Sequence, residues 1–236
     1  MIPIRPVGAP APLPPAPVTA LTTLAPIAAV AIGLGAAALT GSPAPALLSV
    51  LIGVVITWRV SGGGRHGWRA LGFVRPVSPG RTLAIGAMIA GLLHGVLSLV
   101  LLPWLTRVVG APDLSAFNAI FGRPELLAVM LAIALINGAF AEEIVFRGFL
   151  LRRLERHFGA DRRAAVASLI VSSILFGLAH FYQGVTGIVG TTVAGAAFGA
   201  AMLVDRRVLW AAVIAHGLYD WSSLALLYLE GAPATT

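Results

Sequence analysis

The chain has 236 residues, of which 58% are hydrophobic and 11% charged, with a formal net charge of +7 and no cysteine. The lack of Cys excludes disulfides, Cys-bound metal and thiol nucleophiles, and apolar residues gathered in long blocks exclude an ordinary soluble core and mark an all-α, multi-span membrane protein. All 16 basic residues are arginine, as in GC-rich bacterial genomes, and their place in short loops between apolar runs points to the anionic lipid surface as partner and not to nucleic acid.

Residues 1–20, mostly Pro and Ala with Arg5 as their one charge, predict a disordered tail. The rest, 21–236, reads as a single transmembrane helical domain. Its first apolar run, 21–40, precedes Ala44-Pro45-Ala46, which has the look of a signal-peptide cleavage site. A signal peptide carries its charged region directly before the apolar stretch, and Arg5 is too far away, so a retained span is expected. Seven candidate spans follow in order: 21–40, 45–60, 82–105, 125–150, 164–183, 185–204 and 208–229. Most reach the roughly 20 residues needed to cross a bilayer, the second being short.

The loops alternate in charge. Segments 59–81, 147–163 and the turn near 205 hold most of the arginines, whereas 41–44, 106–124 and 182–185 hold only Arg107 and Arg123. The positive-inside rule then puts the N-terminus in the cytoplasm and the C-terminus outside a bacterial plasma membrane. In the sixth run Gly195 and Gly199 share a face on which neighbouring helices can approach closely.

Three fragments inside or beside these runs are unexpected: Glu142-Glu143-Ile-Val-Phe-Arg147, Phe176-Gly-Leu-Ala-His180 and His216-Gly-Leu-Tyr-Asp220. A charged residue at mid-membrane costs about 2.5 to 3.5 kcal/mol on insertion scales, so intramembrane ionisable groups are read as functional first. Residues four apart share a helix face, which lets Glu143 pair with Arg147 and leaves Glu142 turned away and free. A Glu or His can take a proton from water, while further His and Asp groups can stabilise an oxyanion or hold a metal. Counted at the helical rise, Glu142 lies about 15 Å in from Arg152, His216 and Asp220 about 13 and 19 Å from Arg207, and His180 about 25 Å from Arg163. One cavity in the inner half of the membrane therefore requires the fifth helix to project or tilt. His94 reads as a packing residue or an outer neighbour of the site, Asn137 as a site neighbour one turn before Glu142, and His66 and His157 as loop residues.

The order Glu-Glu-x-x-x-Arg, Phe-x-x-x-His, His-x-x-x-Asp resembles the CAAX-processing and bacteriocin-processing (CPBP, formerly Abi) family of intramembrane endopeptidases, over about residues 82–229. The resemblance implies that Glu142 and His180 activate the hydrolytic water, that His216 and Asp220 serve the oxyanion or a metal, and that Glu143, Arg147 and Phe176 support them. Prenyl-protein processing members often carry Asn where Asp220 stands. An ionised Asp would repel an oxyanion, so that role requires a protonated Asp220, or else a metal-ligand role. The cofactor reading stays open between none, the favoured choice, and Zn²⁺ on Glu142, His180, His216 and Asp220. The implied partners are membrane-associated protein or peptide substrates and the lipid bilayer.

Other intramembrane protease designs lack their residues: there is no His-Glu-x-x-His, no second intramembrane Asp and no Gly-x-Ser-x-Gly. No internal repeat suggests a carrier. The competing reading is a catalytically silent scaffold or immunity-type protein on the same fold.

Overall fold

A computed structural model describes residues 20–159 and 161–230, so the tail expected at 1–20 lies outside the described residues but for Ala20. The described chain is helical throughout: α1 Ala20–Thr40, α2 Ala44–Val60, α3 Gly64–Ala70, α4 Pro79–Val108, α5 Pro124–Phe158, α6 Arg162–Leu178, α7 Gly184–Val204 and α8 Leu209–Glu230. Helix starts follow local chemistry. Pro79 and Pro124 occupy first-turn positions, where a missing N–H costs nothing, and the Asp161 carboxylate accepts the Ala164 N–H at 2.7 Å as the cap of α6.

Among the described residues four helices are long and apolar enough to cross a membrane, α1, α4, α5 and the stretch Phe181–Val204 containing α7, with a fifth span if α2 and α3 count as one broken by a 106° bend. Seven spans are therefore not established: α6 has only 17 residues, and α8 carries His216 and Asp220 in its middle. Helix α3, expected as loop, folds back beneath the bundle, and its neighbour Arg152 donates to the Ala70 carbonyl at its end.

Polarity is inverted relative to a soluble protein. Leu99, Val100, Leu92 and Leu83 are exposed, while Glu143, Arg147 and Arg153 are buried. An apolar exterior suits lipid as the solvent. Inside, α5 is central and packs against α2, α6 and α8. Close approach depends on missing side chains: a Cβ on Gly148 would come within 2.7 Å of the Leu71 carbonyl, and one on Gly53 within 3.3 Å of Val145.

The basic segment after Leu151 belongs to α5 and is not the loop expected at 147–163. Arg152 and Arg153 are buried, the latter 5.1 Å over the Phe149 ring. Glu155 pairs with Arg207 in the turn before α8, which sets that turn level with the last turn of α5. Counted from Arg207, His216 is about 13 Å and Asp220 about 19 Å along α8.

At the same end Asp205 joins α4 to α7, accepting Thr82 Oγ1 at 2.6 Å and facing Arg81 at 3.8 Å. Asp205→Ala leaves the buried Thr82 hydroxyl only its longer, 3.3 Å bond to the Ser78 carbonyl and should cost about 0.5–1.5 kcal/mol, read as a lower thermal midpoint in detergent with no change in any activity of the distant site.

Candidate active site

The centre is the carboxylate of Glu143. Its Oε1 accepts from Arg147 Nη1 at 2.7 Å and meets His216 Nδ1 at 2.8 Å. Both ends of the Glu143–Arg147 pair are fully buried, and Glu143 Oε2 has no partner. The same guanidinium donates through Nη2 to the Gly195 carbonyl at 3.0 Å, and so reaches α7. It also lies 4.1 Å over the Phe176 ring of α6, a cation–π contact that dispersed charge in a dry setting strengthens.

His216 Nε2 faces Asp220 Oδ2 at 3.2 Å, four residues on along α8. Both neighbours of the imidazole are acceptors. Serving both takes an N–H on each nitrogen, an imidazolium, unless Asp220 itself holds the proton. Either way the ring has no free nitrogen left. Phe198 stacks on it, 4.3 Å between centroids and 17° between planes, and Phe176 meets it edge-on at 6.0 Å.

Helix α6 stops before His180, contrary to the expected run to 183. The reason is a local exchange of hydrogen bonds: the His180 amide turns to the Gly177 carbonyl at 2.9 Å, and its Nδ1 instead meets the Phe176 carbonyl at 2.9 Å. A carbonyl only accepts, so Nδ1 carries a proton, and whenever the ring is neutral Nε2 keeps its lone pair. The imidazole thereby caps the helix it terminates. A 3₁₀ turn, Phe181–Gln183, then leads to Gly184 at φ 72°, ψ −174°, a conformation open in practice to glycine alone.

Glu142 is half-buried and makes no hydrogen bond or ion pair among the described residues. It lies within electrostatic reach of His216, Asp220, Arg147 and Glu143, while His180 is within reach of His216, Asp220 and Arg147. Two π-helical stretches, Ala134–Glu142 and Ile144–Leu151, flank the glutamate pair. Such widened turns gather at functional sites because they re-aim side chains that a regular helix would hold in register.

Several contributors carried no sequence signal of chemistry. A Cβ on Gly138 would sit 2.9 Å from Asp220 Oδ2 and 3.6 Å from His216 Nε2, and one on Gly195 3.0 Å from both Arg147 and Phe176. The Gly195–Gly199 face thus packs helices as expected, and at Gly195 the close neighbour is the site itself. Phe198 was legible only as an apolar residue. Asn137 is not a site neighbour: its amide donates to the Leu47 carbonyl of α2 at 2.9 Å. His94 packs on Tyr219, 4.6 Å between rings, and bonds Ser222, tying α4 to α8.

Zinc does not fit this arrangement. Among the described residues no three His, Asp or Glu side chains are grouped as a ligand set. His216 has both nitrogens engaged, and the Glu143–His216–Asp220 chain is an ion-pair string rather than a tetrahedral cage.

Residues 124–222 match the family model of the type II CAAX prenyl endopeptidases, described as Rce1-like. The matched stretch holds all seven motif residues from Glu142 to Asp220, so the motif-bearing part of this membrane protein is similar to the CAAX-processing endopeptidases. No curated protein and no solved structure matches the chain.

Removing the central carboxylate leaves the buried Arg147 guanidinium without its counter-ion and His216 Nδ1 without its acceptor. Glu143→Ala should cost about 3–5 kcal/mol and lower the thermal midpoint sharply, whereas Glu142→Ala should leave it near that of the wild type. Equal midpoints for the two variants would show that Glu143 is not the centre of the network.

Proposed function

We propose, with residues 124–222 as a CAAX-endopeptidase-type core, that the protein is an intramembrane endopeptidase that hydrolyses peptide bonds of membrane-associated protein substrates. The supporting observation is the division of labour between two adjacent carboxylates. Glu143 is committed to Arg147 and His216, and Glu142, one residue back, is left without a partner beside the same cluster.

Glu142 is the general base. It takes one proton from a water molecule whose other hydrogen is held by His180 Nε2, the lone pair left over when Nδ1 donates to Phe176. The water oxygen bonds to the scissile carbonyl carbon, and the carbonyl π pair moves to oxygen. Collapse re-forms the C=O bond and breaks C–N, and Glu142 returns its proton to the leaving nitrogen. The ionic string Arg147–Glu143–His216–Asp220 supplies no proton; it fixes α5 and α8 so that Glu142 faces the water. Apolar surroundings exclude bulk water and strengthen these fixed charges.

On this reading no metal takes part, because the one imidazole central to the cluster already spends both nitrogens on carboxylates. Stoichiometric zinc in active protein, with activity lost on chelation and restored on refilling, would contradict it.

Glu142→Gln keeps the shape of the side chain and removes its basicity, and His180→Ala removes the second acceptor. Each should lower turnover by about 10²–10⁴-fold in proteoliposomes with a thermal midpoint close to that of the wild type. Undiminished cleavage in purified Glu142→Gln would remove the assigned role and favour the scaffold reading.

A further inference from the structure

The peptidase reading, on which this inference rests, leaves one demand unmet. A tetrahedral intermediate carries negative charge on the former carbonyl oxygen, and something must donate hydrogen bonds to it. The expected candidates are all spent or closed off. His216 turns one nitrogen to Glu143 and the other to Asp220. The Arg147 guanidinium is fully buried: Nη1 and Nη2 donate to Glu143 and Gly195, Phe176 covers its face, and Nε, which bonds to none of the described residues, has no exposed surface from which to reach a substrate. His180 gives its N–H to the Phe176 carbonyl. Asp220, where related enzymes often have a donor amide, offers a carboxylate engaged with His216.

Tyr182 remains. It stands on the 3₁₀ turn two residues after His180, its ring 6.0 Å from the His180 ring, and its hydroxyl is within electrostatic reach of both Glu142 and Asp220. The Oη atom accepts a hydrogen bond from Gln183 Nε2 at 3.1 Å. An oxygen that accepts is a stronger donor, and the phenolic proton has no acceptor among the described residues. The turn holding it is braced from the opposite loop: the Asp113 amide donates to the Gln183 carbonyl at 3.0 Å, and Thr186 Oγ1 donates to the Gly110 carbonyl at 2.6 Å. Tyr182 is half-exposed, so a substrate can reach it without unfolding the turn.

We propose that the Tyr182 hydroxyl is the oxyanion donor of the peptidase site, with Gln183 as its positioning residue. The proton is shared with the oxyanion and not transferred, so the step needs no further reactant. The arrangement also accounts for an Asp at 220: with the donor supplied by Tyr182, Asp220 is free to hold His216.

The experiment compares wild type, Glu142→Gln, Tyr182→Phe and Gln183→Ala in proteoliposomes. The probes are two internally quenched peptides, one farnesylated at a C-terminal CAAX box and one unmodified and apolar. Tyr182→Phe should lower kcat by about 100-fold or more, the usual effect of losing one oxyanion donor. KM should stay within about twofold, with the thermal midpoint and the pH profile of kcat/KM unchanged. Gln183→Ala should lower kcat in the same direction by less. Wild-type cleavage that Glu142→Gln abolishes and Tyr182→Phe matches in kcat overturns the inference alone. A rise in KM at constant kcat also overturns it, since Tyr182 would then only bind substrate. A wild type that cleaves neither peptide, indistinguishable from Glu142→Gln, overturns the peptidase reading and this inference with it.

Discussion

A carboxylate with no water around it must be paired, and the Glu143 side chain is fully buried in a bundle built for lipid. Its solution is to be shared. One oxygen serves Arg147 on its own helix and His216 on α8, and through Arg147 the same charge reaches the α7 backbone and the α6 ring of Phe176. Four helices thus converge on one ion pair. Each buried charge is tolerable only while the others stay in place, which makes the cluster specify one arrangement of the helices as well as hold the chemistry together.

The neighbouring carboxylate gains its freedom from this arrangement. Two glutamates adjacent in the chain cannot both face the same guanidinium from a helix, so satisfying Glu143 turns Glu142 elsewhere. The π-helical widening on both sides of the pair adjusts that direction. Glycines complete the fit by absence: Gly138 leaves room for Asp220 and Gly195 for Arg147 and Phe176, where a methyl group would collide with a charged group that has nowhere else to go.

Helix ends do comparable work. His180 caps α6 with its own side chain and by doing so settles its tautomer, so one hydrogen bond both ends the helix and exposes a basic nitrogen. The ion pair of Glu155 with Arg207 sets the relative height of α5 and α8, and Gly184 allows the turn after His180 to reverse into α7.

The sequence by itself determined the helical class, the apolar exterior and the pairing of Glu143 with Arg147. These depend on composition and on residues four apart, whose neighbourhood is local. It also singled out the three motif fragments, because ionisable residues stand out against apolar runs. Contacts that join distant segments are settled by packing alone. That His216 meets Glu143 across 73 positions, that Asn137 turns to α2 and away from the site, and that Arg152 is buried and donates to the Ala70 carbonyl of α3 follow from how whole helices pack, for which no local periodicity exists. The number of spans belongs there too: α6 is cut short by a side-chain cap, and the α2–α3 pair is bent by 106°. Hydropathy averages over a window, and neither a single capping histidine nor a bend between two short helices changes that average.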